Sequence, residues 1–301
     1  MRLRIVVLSL FGVLNLGAAA QTVVPFRLID GWAIVLEGTL AGRPRQKMLI
    51  DTGAVPSVIN LRLARQLGLS GPTQDFSLIN KAINVERVTI KGVQVGIIAV
   101  EALEMVAVDL EAIERALNTR IDAVIGLDVL SRQNFRLDYG RKELVFLKDA
   151  VTASAIPFEI MREAGGAYIL IPLKSNGETL RMLLDTGTKD IMLFKGRLAV
   201  GLQQIRVRGK DTNVNPGGQD SLDAVELEST ELGPFAWKTR KAYLWAIPQQ
   251  QLHDFDGMMG PAAFDIQVIA FDFDRHMISL KIPRSHFLQS SALGAVNTAQ
   301  H

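Results

Sequence analysis

A mainly β chain, built from two similar barrel-like lobes with short helices and related by a pseudo-twofold axis, is the fold the sequence predicts. Three observations lead to it. The chain repeats itself: displaced by 134 residues (185 − 51), "GWAIVLEGTLAGRPRQKMLIDTGA" (31–54) falls on "GGAYILIPLKSNGETLRMLLDTGT" (165–188) without a gap. In the same register "DAVIGLDVL" (122–130) falls on "DGMMGPAAF" (256–264), and "FRLDYGRKELVF" (135–146) on "IAFDFDRHMISL" (269–280). The hairpin blocks alternate apolar and polar residues at the period of a half-buried strand. Two copies are too few for a solenoid but enough for two facing lobes.

Taken in order, residues 1–20 read as a secretory signal peptide. Arg2 and Arg4 precede an apolar run from Ile5 to about Leu16, and small residues lead to Ala20. The run is short for a bilayer, so the expectation is export, to the periplasm or the extracellular space, with no stable membrane span. The N-terminal lobe occupies 21–150. Within it "GRPRQK" (42–47) reads as a wet hairpin tip, and "LRLARQLGL" as a helix capped by Asn60 and stopped at Gly68. "RVTIKGVQVGIIAV" gives strands around Gly92, "DLEAIERALN" (109–118) a short helix, and "FRLDYGRKELVF" a hairpin turning at Gly140-Arg141. Residues 151–160 interrupt the pattern at Thr152, Ser154 and Pro157 and read as a linker. The C-terminal lobe spans 161–284, and 285–301 is a small, polar tail.

Composition narrows the function. The 301 residues are 48% hydrophobic and contain no cysteine, which excludes thiol chemistry and disulfide stapling and leaves stability to core burial. The excess of basic over acidic residues, 33 against 31, disappears once Arg2 and Arg4 leave with the leader. Such a chain offers little attraction for nucleic acid. Neither phosphate-binding glycine fingerprint occurs at a strand–helix junction, the four histidines have no metal spacing, and no G-x-S-x-G elbow is present. Asp272 and Asp274 share a strand face and read as a solvated edge rather than a metal site. No metal or cofactor is called for.

The repeated Asp-Thr-Gly carries the chemistry. Met48-Leu49-Ile50 and Met182-Leu183-Leu184 run as apolar strands straight into Asp51 and Asp185. A carboxylate at the end of a buried strand is costly unless donors surround it. Gly53 and Gly187 allow a tight turn whose N–H groups approach the carboxylate, and Thr52 and Thr186 supply hydroxyls at the same depth. Each Asp stands 75 residues ahead of a glycine preceded by two apolar residues, in Val124-Ile125-Gly126 and Met258-Met259-Gly260 (126 − 51 and 260 − 185). If the lobes face each other, Asp51 and Asp185 meet, cannot both remain ionised, and share a proton. That places an acid and a base in one site, able to add water to an amide without metal or covalent intermediate.

At "LIDTGA" (49–54), "LLDTGT" (183–188), "AVIGLDVL" (123–130) and "GMMGPAAF" (257–264), the chain resembles the retropepsin-like aspartic proteases of the pepsin superfamily. The resemblance covers about 25–284. It implies an acid-protease fold, an aspartic endopeptidase acting on an extended peptide or protein substrate, and a complete site within one monomer. It also implies Asp51 and Asp185 as the catalytic pair, with Thr52 and Thr186 bonding between lobes. Three departures stand out. Ala54 follows the first Asp-Thr-Gly where Thr188 follows the second, and a hydroxyl there would favour the charged carboxylate, so the Ala54 side is expected to be the less acidic, with a mildly acidic optimum. Residues 55–120 contain no tyrosine for a pepsin-like cover, which leaves Phe76–Ile79 or the vicinity of Gly92. "NPGGQD" (215–220) reads as either a mobile cover or an exposed loop, the loop being favoured because Gly-Gly and Asn-Pro mark turns. Trp237, Tyr243 and Trp245 serve either a subsite or packing. The alternative function is a catalytically silent, protease-shaped peptide-binding or assembly protein of the cell envelope, with the cleft blocked or slack.

Overall fold

The computed structural model describes residues 22–147, 155–163, 166–199, 202, 205–215, 218–248, 253–283 and 288–289. The predicted leader and most of the predicted tail lie outside the described residues. Strands dominate, as the alternation requires. Helix is confined to short pieces, among them Leu61–Gln66, where the Asn60 side chain accepts from Arg62 N at 3.0 Å, and Glu111–Ala116. Both lie where the sequence put them.

The expectation of two barrel-like lobes is not met. The described strands form two large sheets, one of thirteen strands and one of nine, and neither is a barrel. The larger runs from Ala155–Pro157 at one end to Thr73–Ser77 at the other, and the smaller from Glu159–Glu163 to Gly209–Asn215. The physical reason lies in the repeated hairpins. Phe135–Asp138 pairs antiparallel with Glu143–Phe146, and on its other edge with Val268–Asp272 from the second repeat, Phe135 opposite Phe271. Their rings sit 4.6 Å apart, and Phe158 and Phe273 pack beside them. The apolar face of each hairpin is therefore buried against the other copy, and the second-half strands become part of the first half's sheet. The segment predicted as linker joins this arrangement: Ala155–Pro157 pairs with Met277–Lys281.

Within each half, one local unit recurs. Arg43–Ile50 lies parallel to Ala123–Ile125, with Leu49 opposite Val124; Glu178–Leu184 lies parallel to Gly257–Met259, with Leu183 opposite Met258. Two aspartates pin the units together. Asp122 exchanges bonds with Lys47, its carboxylate accepting from Lys47 N at 3.0 Å and its own N–H donating to Lys47 O at 2.8 Å. Asp256 does the same with Arg181, both at 2.8 Å.

The main core crosses from one half to the other, placing Ile50, Ile125, Leu184, Met259, Phe135 and Phe271 in one cluster. Two smaller clusters, one around Val58, Val108 and Val124 and one around Met192, Trp245 and Met258, sit in the separate halves. Among the described residues no helix is long and apolar enough to cross a membrane. Truncating Phe135 to Ala empties a fully buried site shared by both repeats and is expected to cost about 3–5 kcal/mol, read as a lowered midpoint in urea denaturation.

Candidate active site

Each Asp-Thr-Gly begins where its strand ends. Asp51 N donates to Ile125 O and Asp185 N to Met259 O, both at 3.0 Å, so the parallel partner strand fixes where each turn starts. The turn then folds back on its own carboxylate. Gly53 N donates to Asp51 Oδ1 at 2.8 Å, and Gly187 N to Asp185 Oδ1 at 2.6 Å. These bonds meet the solvation demand of a carboxylate held away from bulk water.

The two turns interlock. Thr52 Oγ1 donates to Leu184 O at 2.7 Å and accepts from Thr186 N at 3.1 Å. Reciprocally, Thr186 Oγ1 donates to Ile50 O at 2.9 Å and accepts from Thr52 N at 3.0 Å. Both threonines are buried, so each hydroxyl satisfies one donor and one acceptor of the opposite repeat with no water to substitute.

Glycine is required here for room. A Cβ on Gly53 would stand 2.6 Å from the Asp185 Cγ, and one on Gly187 2.5 Å from the Asp51 Cγ. Each turn thus leaves space for the carboxyl of the other. The same holds one layer out, where a Cβ on Gly126 would meet Ala54 O at 1.8 Å and one on Gly260 would meet Thr188 O at 1.9 Å. Val124, Ile125, Met258 and Met259 are buried behind these contacts. All the residues singled out from the repeated motif therefore come together at one place.

The carboxyls of Asp51 and Asp185 lie within hydrogen-bonding reach of each other. Burial raises Asp51 above the ordinary carboxylate range, while hydrogen bonds from Asp185 and from the N–H groups of Gly53 and Ala54 pull it down. Burial raises Asp185 much further, aided by the Asp51 charge and by the proton Asp185 gives to Asp51, against the N–H groups of Gly187 and Gly53. Both carboxyls are therefore held above the ordinary range, Asp185 the more strongly, and the pair retains a proton as a unit. Thr188 Oγ1 is engaged with Asp190 N at 3.5 Å, and Asp185 is only 4% exposed whereas Asp51 is partly open.

Above the carboxyls lies a cavity of about 350 Å³. Its roof comes from two hairpins, Thr73–Val95 in the first half and Gly209–Leu232 in the second. Phe76, Leu78 and Asn80 line it from one tip and Asn213 and Asn215 from the other. The tips are tied: Asn80 Nδ2 donates to both oxygens of Asp220, at 2.9 and 2.7 Å, and Asn215 Nδ2 donates to Asp220 Oδ2 at 2.7 Å. Of the two places expected for a cover, Phe76–Ile79 lines the cavity, as does Asn215 from the segment read as an exposed loop, and Asp220 of that segment takes part in the tie. Tyr243 and Trp245 line the cavity, as does Trp32, whereas Trp237 packs on Phe264 at 5.0 Å. Of the pair read as a solvated edge, Asp274 is exposed, whereas Asp272 is buried and paired with Arg275 at 3.2 Å.

With this geometry established, comparison with protein families is informative. The aspartyl protease family profile matches residues 36–129. That stretch carries an aspartyl protease domain. It contains the first Asp-Thr-Gly, the first roof hairpin and Val124-Ile125-Gly126. Comparison with curated proteins gives no match. The matching bonds of Asp122 to Lys47 and of Asp256 to Arg181 were missed by sequence reasoning, although the repeat register aligns the two aspartates (256 − 122 = 134). Equally unforeseen is the brace peculiar to the protease domain, in which Ser57 Oγ donates to Asp128 Oδ1 at 2.6 Å and accepts from Gly126 N at 2.9 Å.

Replacing Thr52 by Val keeps shape but strands the Thr186 N–H and the Leu184 carbonyl in a dry interface. A loss of about 3 kcal/mol is expected at about 1–3 kcal/mol per orphaned group, measured by urea denaturation. A second expectation concerns pH. Because the folded state raises the Asp185 pKa, its proton is retained after the unfolded chain has released its own. The associated stability is complete below the unfolded value of about 3.9 and is lost as pH rises towards the folded value. Asp185→Asn removes that loss, so its Tm should exceed that of the wild type by a margin that opens from about pH 4 upward, as followed by thermal melts across pH.

Proposed function

We propose that the protein is an aspartic endopeptidase in which Asp51 and Asp185 together activate water against a peptide bond. The observation that carries this reading is the pair of carboxyls, drawn from two separated turns, facing each other at the floor of a cavity, with burial holding both above the ordinary carboxylate range. The aspartyl protease domain over 36–129 supports it independently.

In this mechanism an extended peptide lies in the cavity beneath the two hairpins. Asp51, ionised, takes a proton from a water molecule as the water oxygen attacks the amide carbon. Asp185 gives its proton to the carbonyl oxygen, so the tetrahedral intermediate is a neutral diol. Transfer of the proton now on Asp51 to the nitrogen makes that nitrogen a leaving amine. As the C–N bond breaks, a diol hydroxyl returns a proton to Asp185, which restores the starting state. The Thr52–Thr186 exchange keeps the two carboxyls in register, and their burial strengthens both proton transfers by limiting solvent.

The alternative of a silent binding protein needs a blocked or slack cleft. The open volume above the carboxyls and the bonds holding each turn argue against it. Both aspartates belong to one chain, in keeping with a monomer carrying a whole site. The reading as an exported protein, periplasmic or extracellular, rests on the sequence of residues 1–20.

The test is cleavage of a peptide library by wild type, Asp51→Asn and Asp185→Asn, with folding checked by circular dichroism. Either substitution is expected to lower kcat by at least about 10³-fold, the scale of losing a positioned acid or base. Turnover should also fall on both sides of an optimum, as Asp51 is protonated or Asp185 loses its proton. Undiminished cleavage by either folded variant would overturn the assignment.

A further inference from the structure

The two sides of the cavity differ in chemistry. The repeat register sets Val55 against Lys189, Pro56 against Asp190 and Val58 against Met192 (189 − 55, 190 − 56 and 192 − 58, each 134), and all six line the cavity. The first-half wall continues through Val108, Leu110 and Ile113, without a charge. The second-half wall adds Asp211, Tyr243 and Trp245.

Of the two carboxylates on that wall, Asp211 is already satisfied. It accepts from Tyr243 Oη and from Thr212 N, each at 2.8 Å, and Lys241 Nζ stands 4.0 Å from it, over the Tyr243 ring at 4.7 Å. Asp190 is different. Its backbone is held, the N–H at Thr188 Oγ1 and the carbonyl by Gly260 N at 3.0 Å, yet among the described residues no side chain donates to its carboxylate or forms an ion pair with it. Burial works against its charge; Lys189 and Lys241 relieve it only through space, and Asp211 adds to the repulsion. Lys189 is exposed and Lys241 is committed to Asp211 and the ring. A partly buried carboxylate close enough to Tyr243 to act on it through space, with no contact cation of its own among the described residues, is what a lysine or arginine side chain complements through charge.

We propose that the cleft takes a peptide of mixed character, with an aliphatic or aromatic side chain against the Val58–Val108 wall and a basic side chain reaching Asp190 on the other. The inference rests on the peptidase reading for its substrate, and Asp190 acts in it as a specificity-determining residue rather than a catalytic one.

The test separates the two ideas by measuring binding and cleavage independently. Peptides whose central amide is reduced to a methylene amine cannot be cut. In these, leucine is kept on one side of the central bond while lysine or norleucine is placed in turn at each of the two nearest positions on the other, in both orders. Fluorescence anisotropy gives Kd for wild type, Asp190→Asn and Asp190→Glu. At one position lysine should bind about tenfold more tightly than norleucine, a ratio worth about 1.4 kcal/mol. That ratio should fall towards one in Asp190→Asn and at high salt, and should persist in Asp190→Glu. Norleucine equal to or better than lysine everywhere, no binding of any peptide, or a lysine preference that survives Asp190→Asn undiminished would each overturn the proposal. The parent amide peptides report on the other reading: selective binding without cleavage would sink the peptidase and keep the subsite, and cleavage without lysine preference would do the reverse.

Discussion

Four hydrogen bonds between the turns at Thr52 and Thr186 set the geometry on which everything else depends. They are exchanged, so neither turn is complete without the other, and they lie in a dry interface where losing a partner has no aqueous remedy. Once the turns are locked in this way, each Gly faces the opposite carboxyl at a distance that excludes any side chain. The Asp51–Asp185 approach, and with it the shared proton, is a consequence of packing rather than of attraction between the two acids, which repel when charged.

Much of this was legible in the sequence because repetition is a strong signal. One displacement aligned the strands, the Asp-Thr-Gly turns and the supporting glycines, and the parallel pairings Leu49–Val124 and Leu183–Met258 obey the same displacement. The helix capped by Asn60 and the hairpin turning at Gly140 were equally readable, since their determinants are local. The barrel-like lobes were not there to be found. Alternation says which face of a hairpin is apolar but not which partner covers it, and Phe135 pairs with Phe271 of the other repeat. The roof escaped for a related reason. Asn80 and Asp220 are ordinary turn residues until a distant hairpin brings them together.

The two halves divide labour between sameness and difference. Below the carboxyls the repeats are alike: strand, turn, threonine and paired aspartate recur with equivalent bonds. Around the cavity they diverge, with valine and proline facing lysine and aspartate. The floor must be matched because the two acids have to be held equally well, whereas the walls have no such constraint.

That freedom follows from both repeats lying on one polypeptide. Where two identical subunits build a site between them, every substitution appears twice and must be tolerated in both places, and dilution takes the site apart. A covalently joined pair escapes both conditions. Ala54 and Thr188, or Pro56 and Asp190, can drift separately, and the interlocked turns stay assembled however scarce the molecule becomes.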